Sequence, residues 1–309
     1  NPDAPPVRSL AWAIGFVLLS TLIFGPLVQT GNKLLALAFP IVQLIWVRSF
    51  GHMVWMLILF WPRNGWAMFK TRHPAIQLGR SALLLLSSIL WISGIPEVPL
   101  ALAGIIGFTA PIMVVILSIP ILGERVGIHR WGAVAGGFVG ALVVLRPGTG
   151  GISLDIWLLF GAALAFALYQ ILTRMLSAEE NPATTQTYTV IIQLAASSII
   201  LPFVFTLPEA SDTTAWVAFA ALGIFGGFRH FFVVKALEHA PASFVSPFFY
   251  TELIGVTLMG LLVFGNFPDA WTWVGAAIIM ASGLYITHRE AVNARTLKDP
   301  AANRGGSPQ

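Results

Sequence analysis

The chain has 309 residues, of which 57% are hydrophobic and 10% charged, and its mean hydropathy is +0.82. Soluble domains carry about 25% charged residues, so the composition excludes an ordinary soluble protein and leaves no room for an added catalytic domain. The chain has no cysteine, which excludes disulfide frameworks, thiolate nucleophiles and Cys-ligated metal centres. The net charge is +4, but the basic residues lie mostly between apolar segments and therefore indicate membrane topology rather than nucleic-acid binding.

Ten apolar segments follow one another along the chain, each close to the ~20 residues that a membrane-spanning helix needs. They cover residues 10–30, 38–60, 76–95, 98–121, 128–146, 154–176, 184–205, 214–236, 241–264 and 270–288. Stretches such as 83–86 and 112–117 are continuously apolar, whereas the strands of a membrane barrel alternate apolar and polar residues. The sequence therefore predicts an all-α polytopic membrane protein with ten transmembrane helices, an N-terminal cytoplasmic tail at 1–9 and a disordered tail at 289–309.

The distribution of lysine and arginine predicts the orientation of these helices. With ten helices, both termini lie on one side of the membrane. That side collects Arg8, Arg63, Lys70, Arg72, Arg80, Arg125, Arg130, Arg174, Lys235, Arg289, Arg295, Lys298 and Arg304, and the other side has only Lys33 and Arg146. Because basic residues concentrate in cytoplasmic loops, we expect both termini to be cytoplasmic, in a membrane of the bacterial inner-membrane type.

The chain also contains a weak internal repeat. A shift of 142 residues places Pro99 on Pro241 and Gly123 on Gly265, and it superposes the first five apolar segments on the last five. Each half, 10–147 and 153–288, then contains an odd number of helices, so the halves have opposite orientations. Inverted repeats around a central cavity are typical of secondary transporters, in which one half rocks against the other.

Several motifs carry a resemblance to a known family. They are Thr109-Ala110-Pro111, Leu117-Ser118, Leu122-Gly123-Glu124-Arg125, the run from Gly132 to Gly140, and Leu145-Arg146-Pro147. With an arginine in the second helix, this combination resembles the drug/metabolite transporter superfamily, and its EamA-type branch most of all. The resemblance implies a bundle of two inverted five-helix repeats around a central cavity, and export of amino acids, metabolites or cationic drugs.

Ionisable groups at membrane depth cost on the order of 3 kcal/mol and need a partner or a water-filled cavity. Glu252 lies in the ninth helix among aromatic residues, where it can bind an ammonium group, carry a coupling proton, or form a buried ion pair with Arg48 or Arg229. Arg48 and His52 form a polar stripe on the second helix, where the arginine can bind a carboxylate or serve a structural role. Arg229 and His230 follow a glycine-rich run in the eighth helix.

Helix breaks give a second, positional clue to the site. Pro111 and Pro247 interrupt corresponding helices of the two halves, and transporters commonly build their sites at such breaks. The predicted substrate-binding residues are those beside the breaks, the central acid and the polar or aromatic residues of helices three and six: Ser88, Trp91, Thr109, Tyr169, Gln170, Ser246, Phe248, Tyr250 and Glu252.

The sequence therefore predicts a secondary transporter that exports small amphipathic metabolites by alternating access, amino acids with aromatic or bulky apolar side chains above all. A cationic drug or quaternary-ammonium exporter is the alternative, and a channel or assembly protein is the non-transport alternative. The apolar segments contain no Asp-rich motif, so we expect no enzyme activity, and we expect no cofactor and no metal. Gly132, Gly136 and Gly140 form a close-packing face, which we assign to packing within a monomer rather than to a dimer.

Overall fold

A computed structural model describes residues 7–123, 128–145, 153–176, 179–240 and 245–298, and these residues form helices without any strand. The α-helices are α1 Val7–Leu18, α2 Gly25–Ala36, α3 Ile41–Asn64, α4 Pro74–Gly94, α5 Leu100–Gly107, α6 Ala110–Leu122, α7 Ile128–Leu145, α8 Leu154–Leu176, α9 Pro182–Val204, α10 Thr213–His239, α11 Glu252–Phe264 and α12 Ala270–Lys298. A π-helix, Leu19–Phe24, joins α1 to α2, and 3₁₀ helices occupy Gly65–Phe69 and Ser246–Thr251.

Seven of the described helical segments are long and apolar enough to cross a membrane, and three shorter apolar helices cover Trp131–Val144, Phe248–Phe264 and Ala270–Tyr285. Large apolar side chains point outward from these helices, such as Phe203, which is 85% exposed, and Ile199, which is 72% exposed. So extensive an apolar surface is not stable in water. The protein is therefore an integral membrane protein.

The two ends of the chain differ from the sequence-based expectation. The first helix begins at Val7 instead of residue 10, and the last continues to Lys298, although residues 289–309 were expected to be disordered. The segment between 289 and 298 contains two alanines and neither proline nor glycine, so nothing in it terminates a helix once one has formed. Residues 299–309 and 1–6 lie outside the described part of the chain.

The helices pair in a symmetric pattern. If α1 and α2 are counted as one segment and α5 and α6 as another, each half has five segments. Three contacts between the halves then each have a symmetric counterpart. The contact between α4 and α8 corresponds to the contact between α10 and α1–α2. The contact between α3 and α10 corresponds to the contact between α9 and α4, and the contact between α6 and α8 corresponds to the contact between α11 and α2. Three further contacts each join a segment of one half to the equivalent segment of the other half: α3 with α9, α5 with α11 and α7 with α12.

Local geometry repeats at the same offset of 142 residues. Helices α6 and α11 each contain 13 residues, and each ends at a glycine with a φ of +67°, Gly123 or Gly265. Only glycine adopts this left-handed conformation without strain. Before each helix, a threonine hydroxyl donates to the carbonyl three residues back at 2.6 Å, Thr109 to Ile106 and Thr251 to Phe248.

Small residues allow the helices to approach closely. A Cβ atom at Gly136 would lie 2.8 Å from Ser282 Oγ, and one at Gly140 would lie 3.0 Å from the Gly275 carbonyl. Both glycines therefore pack α7 against α12 of the same chain, as in other membrane helix interfaces. Gly132, the third member of the predicted face, has no neighbour within 4 Å of such an atom.

Candidate functional site

The buried acid of the second half is paired. Glu252 is the first residue of α11, and its Oε2 accepts a hydrogen bond from Arg229 Nη2 of α10 at 2.8 Å, with the two side chains 13% and 31% exposed. Of the partners that the sequence left open, the structure therefore selects Arg229. Gly25 makes room for this carboxylate, since a Cβ atom there would lie 2.9 Å from Glu252 Oε1.

The π-helix of the first half lies against this ion pair. Ser20 Oγ donates to the carbonyl of Arg229 at 3.1 Å, and the Thr21 hydroxyl lies 2.7 Å from that of Thr251. Insertions of this type widen a helix by one residue and are frequent at functional sites. The polar side chains Ser20 and Thr21 are buried, and the sequence analysis missed them because isolated hydroxyls in an apolar helix are common.

Arg48, two turns into α3, contacts neutral groups. Its Nη2 donates to Ser88 Oγ of α4 at 2.8 Å and approaches Gln193 Oε1 of α9 at 3.5 Å. Ser49 Oγ donates to the same Gln193 oxygen at 3.1 Å. The structure thus brings Arg48 and Ser88 together, and it adds Gln193, an amide in an apolar helix that the sequence analysis did not single out.

The two central histidines stack on each other. The rings of His52 on α3 and His230 on α10 are 4.0 Å apart between centroids, with an interplanar angle of 1°. Glycines permit this approach of the two helices, because Gly51 lies against the backbone of Gly223 and Gly227 lies against the ring of Trp55. The polar stripe predicted on α3 therefore faces the glycine-rich run predicted on α10.

Trp91 lies one helical turn beyond Ser88 on α4. Its Nε1 donates to Gln29 Oε1 of α2 at 3.0 Å, and its ring packs against Gly107, where a Cβ atom would lie 3.3 Å from the indole. The indole is therefore fixed next to the first helix break. Gln29 is a further site-proximal residue that the sequence analysis missed.

Tyr169 belongs to a different polar network. Its hydroxyl accepts a hydrogen bond from Arg80 Nη2 at 3.0 Å, and Arg80 also donates to Thr173 Oγ1 at 2.9 Å, to Gln77 Oε1 at 2.9 Å and to the Thr185 carbonyl at 2.7 Å. Arg80, which was counted among the basic residues of the cytoplasmic side, is 0% exposed and lies within α4. Its four acceptors supply the hydrogen bonds that its burial requires.

Tyr169 and its neighbour Gln170 were predicted to bind substrate. Both lie on α8, half-buried. The hydroxyl of Tyr169 contacts Arg80, and the substrate-binding role of the two residues stays a prediction.

The two helix breaks lie against each other. Phe108, beside the first break, and Tyr250, in the 3₁₀ helix of the second, are separated by the repeat offset, and their ring centroids are 5.0 Å apart. Thr109 is buried, and its hydroxyl donates to a backbone carbonyl. In the first half, the helix is interrupted at residues 108 and 109, between α5 and α6 and directly before Ala110-Pro111. The side chains of Ser246 and Pro247 lie outside the described residues.

A groove of about 400 Å³ lies between α7 and α12 and is lined by Ile128, Gly132, Ala133, Ala281, Ser282 and Tyr285. None of its lining residues is an arginine, a histidine or a carboxylate. Within the described part of the chain, no group of three or more histidine, aspartate or glutamate side chains is placed to hold a metal ion. Besides Lys33 and Arg80, which are also buried, the charged or titratable residues that the described helices of both halves bring together are Arg48, His52, Arg229, His230 and Glu252.

Comparison with known proteins identifies the family. The EamA-like transporter family matches the chain twice, at residues 11–146 and 153–287. A riboflavin transporter of Rhizobium johnstonii is 29% identical over 92% of this chain and 93% of its own length. A riboflavin transporter of Vibrio cholerae is 33% identical over 73% of this chain and 76% of its own, and an S-adenosylmethionine uptake transporter of Rickettsia prowazekii is 28% identical over 75% and 77%.

A crystal structure of a protein with 18% sequence identity superposes with a TM-score of 0.56, over 90% of this chain and 98% of that one. At this identity the likeness concerns the fold alone. The double family match and the full-length relatives agree with the two-half pairing of the helices and with the apolar outer surface. The chain belongs to the EamA-like transporter family, and it is a membrane transporter rather than an enzyme.

Proposed function

We propose that the protein is a secondary transporter that moves a small amphipathic metabolite by alternating access between two inverted repeats. The seven long and three shorter apolar helices then form ten spans, with halves at 10–147 and 153–288. The symmetric helix pairing and the matched helices α6 and α11 support this division. The bias of lysine and arginine supports cytoplasmic termini in a bacterial-type inner membrane.

One observation carries the proposal. A cluster of charged and polar side chains lies deep among apolar helices, and both halves contribute to it. Arg48 and Ser88 come from the first half, and Gln193, Arg229 and Glu252 come from the second. Ionisable groups at this depth are expensive and commonly mark a transport pathway. Because the cluster bridges the halves, a rocking motion would open it to either side in turn.

The chemistry of the cluster favours an amphipathic solute. Arg229 pairs with the carboxylate of Glu252, Arg48 has no carboxylate partner among the described residues, and Trp91 supplies an aromatic surface within one turn of Ser88. An amino acid with an aromatic or bulky apolar side chain combines the two features that this arrangement can bind. The cationic-drug alternative is less well supported, because the carboxylate of Glu252 is already paired with Arg229 and the excess charge is positive.

The relatives favour a second candidate class. Riboflavin and S-adenosylmethionine, after which three of them are named, join a planar aromatic ring system to a polar chain. Such a solute also fits a site with an aromatic wall and hydrogen-bonding side chains. The relatives named for S-adenosylmethionine are uptake transporters, whereas the direction proposed here is export. We propose a monomer, because Gly136 and Gly140 of α7 are occupied within the chain.

Counterflow in proteoliposomes tests this function. Vesicles are loaded in turn with phenylalanine, threonine, riboflavin, S-adenosylmethionine and a quaternary-ammonium dye, and uptake of the labelled solute is followed with and without a pH gradient. We expect saturable exchange of phenylalanine above that of threonine. Exchange of riboflavin or S-adenosylmethionine alone would select the second candidate, and exchange of the dye alone would select a drug exporter. Absence of exchange with every solute would refute a carrier.

A further inference from the structure

The arginines and the lysine in the interior differ in how fully their charge is satisfied. Arg229 is paired with Glu252, Lys33 donates to three backbone carbonyls, and Arg80 makes four hydrogen bonds. Arg48 has one hydrogen bond of 2.8 Å and a second contact of 3.5 Å, both from Nη2. Within the described part of the chain, no carboxylate lies within salt-bridge distance of it.

The unused hydrogen-bonding capacity of Arg48 is large. A guanidinium has five N–H donors, and the donors on Nε and Nη1 have no partner among the described residues, while the side chain is only half-buried. Each edge of a guanidinium that fits both oxygens of a carboxylate pairs Nη2 with either Nε or Nη1. Because Nη2 already donates to Ser88 Oγ, a carboxylate oxygen here would accept from Nε or from Nη1, beside the serine. An oxyanion would therefore find three N–H donors without a protein partner, one on Nε and two on Nη1, and an unneutralised positive charge at this position.

Neighbouring groups hold this guanidinium in place. Its aliphatic stem packs against Gly226 of α10, where a Cβ atom would lie 3.2 Å from Arg48 Cγ. Ser88 Oγ accepts a hydrogen bond from Arg48, so the proton of the serine hydroxyl remains available to a ligand oxygen. The two residues thus form a small oxyanion-binding unit from two helices of the first half.

An apolar surface continues from this unit. Trp91 follows Ser88 by three positions on α4, and residues three apart lie on the same helical face. The indole is fixed by its hydrogen bond to Gln29 at 3.0 Å. A solute whose carboxylate contacts Arg48 and Ser88 would therefore place an attached aromatic or apolar group against Trp91.

We propose that Arg48 and the Ser88 hydroxyl bind the carboxylate of the transported solute, and that the Arg229–Glu252 pair serves to hold α10 against α11. This assignment rests on the proposed carrier function and specifies its substrate class: a carboxylate-bearing solute with an aromatic or bulky apolar group. It reverses the first sequence-based expectation, in which Glu252 recognises an ammonium group.

The test compares phenylalanine with L-phenylalaninol, which replaces the carboxylate by a hydroxymethyl group. Binding to the purified full-length protein in detergent is measured by calorimetry, and counterflow is measured in proteoliposomes. We expect the wild type to bind phenylalanine about 10- to 100-fold more tightly than phenylalaninol, the range for one hydrogen-bonded charged group. In Arg48→Gln this ratio falls to about 1, and Arg48→Lys retains part of it.

Matched controls separate this role from a loss of folding. Arg72 is an exposed guanidinium in the loop before α4, and Arg72→Gln should keep the wild-type ratio. Ser88→Ala should reduce the ratio to a smaller extent than Arg48→Gln. The proposal is overturned if Arg48→Gln keeps the wild-type ratio, if the wild type binds phenylalanine and phenylalaninol equally, or if it binds neither phenylalanine nor S-adenosylmethionine. Exchange of riboflavin alone would overturn it and leave the carrier function intact, since riboflavin has no carboxylate.

Discussion

Lys33 offers the most direct test of how this fold is held together. It lies in the last turn of α2, is 5% exposed, and donates from Nζ to the carbonyls of Ile95 at 3.0 Å, Pro96 at 2.6 Å and Val98 at 2.7 Å. Its ammonium also lies 5.3 Å from the ring centroid of Phe264. One side chain thus connects the end of α2 with the turn between α4 and α5. Lys33→Met keeps the apolar stem and removes the three donors.

The expected loss of stability follows from the acceptors left behind. The Ile95 carbonyl also accepts from the Val98 backbone N–H at 3.3 Å, so it keeps a partner, while those of Pro96 and Val98 lose theirs. At about 1 kcal/mol for each lost acceptor interaction, and about 0.5–1 kcal/mol for the cation–π contact, the variant should lose about 2–3 kcal/mol. For a chain of 309 residues that corresponds to a decrease in Tm of about 3–5 °C.

Thermal unfolding of the detergent-purified protein, followed by intrinsic tryptophan fluorescence, measures this decrease. Lys70→Met is the matched control, because Lys70 is exposed in the loop that precedes α4, and its Tm should stay within about 2 °C of the wild type, as surface substitutions usually do. Equal Tm values for the two variants would refute the reasoning. They would mean that the cost of burying the ammonium cancels its three hydrogen bonds.

Three further outcomes are expected. Glu252→Gln leaves Arg229 without its carboxylate and should lower the free energy of unfolding by about 1–3 kcal/mol, measured by denaturation in detergent. Adding Arg229→Met to this variant should recover part of the loss. If the losses of the two single variants simply add in the double variant, the pairing is contradicted. A methyl group at Gly255 would overlap the start of α2, so Gly255→Ala should reduce the monodisperse fraction in size-exclusion chromatography, whereas Gly132→Ala, which meets nothing within 4 Å, should not. Burial raises the pKa of Glu180, but hydrogen bonds from the 71–73 loop outweigh it and hold the pKa of this carboxyl below its usual value of 4.5. The ionised Glu180 carboxylate stabilises the fold above about pH 4.5, and this contribution is lost as the pH falls through the lowered pKa. The Tm of Glu180→Gln should therefore decrease less on acidification than the Tm of the wild type. Parallel profiles of Tm against pH for the two proteins would argue against this role.

Much of the candidate site could be predicted from the sequence, because charged residues inside apolar segments are rare. Arg48, Arg229 and Glu252 were recognised on that ground alone, and all three lie in one cluster with His52 and His230. Their partners were not predictable to the same degree. Which of two arginines reaches a carboxylate depends on the rotation of each helix about its axis, and hydropathy does not encode that rotation.

By itself, the sequence determined the helical, membrane-embedded character of the protein and the repeat offset of 142 residues. Both follow from local properties: apolar stretches long enough to span a bilayer must satisfy their backbone groups within a helix, and the helix ends at Gly123 and Gly265 need a residue that tolerates positive φ. Only the tertiary structure decided that Glu252 pairs with Arg229, that Arg80 is fully buried, and that Arg48 keeps free donors. These facts depend on distances between helices far apart in the chain, and those distances are set by close packing at glycines such as Gly51 and by side-chain complementarity across helix pairs.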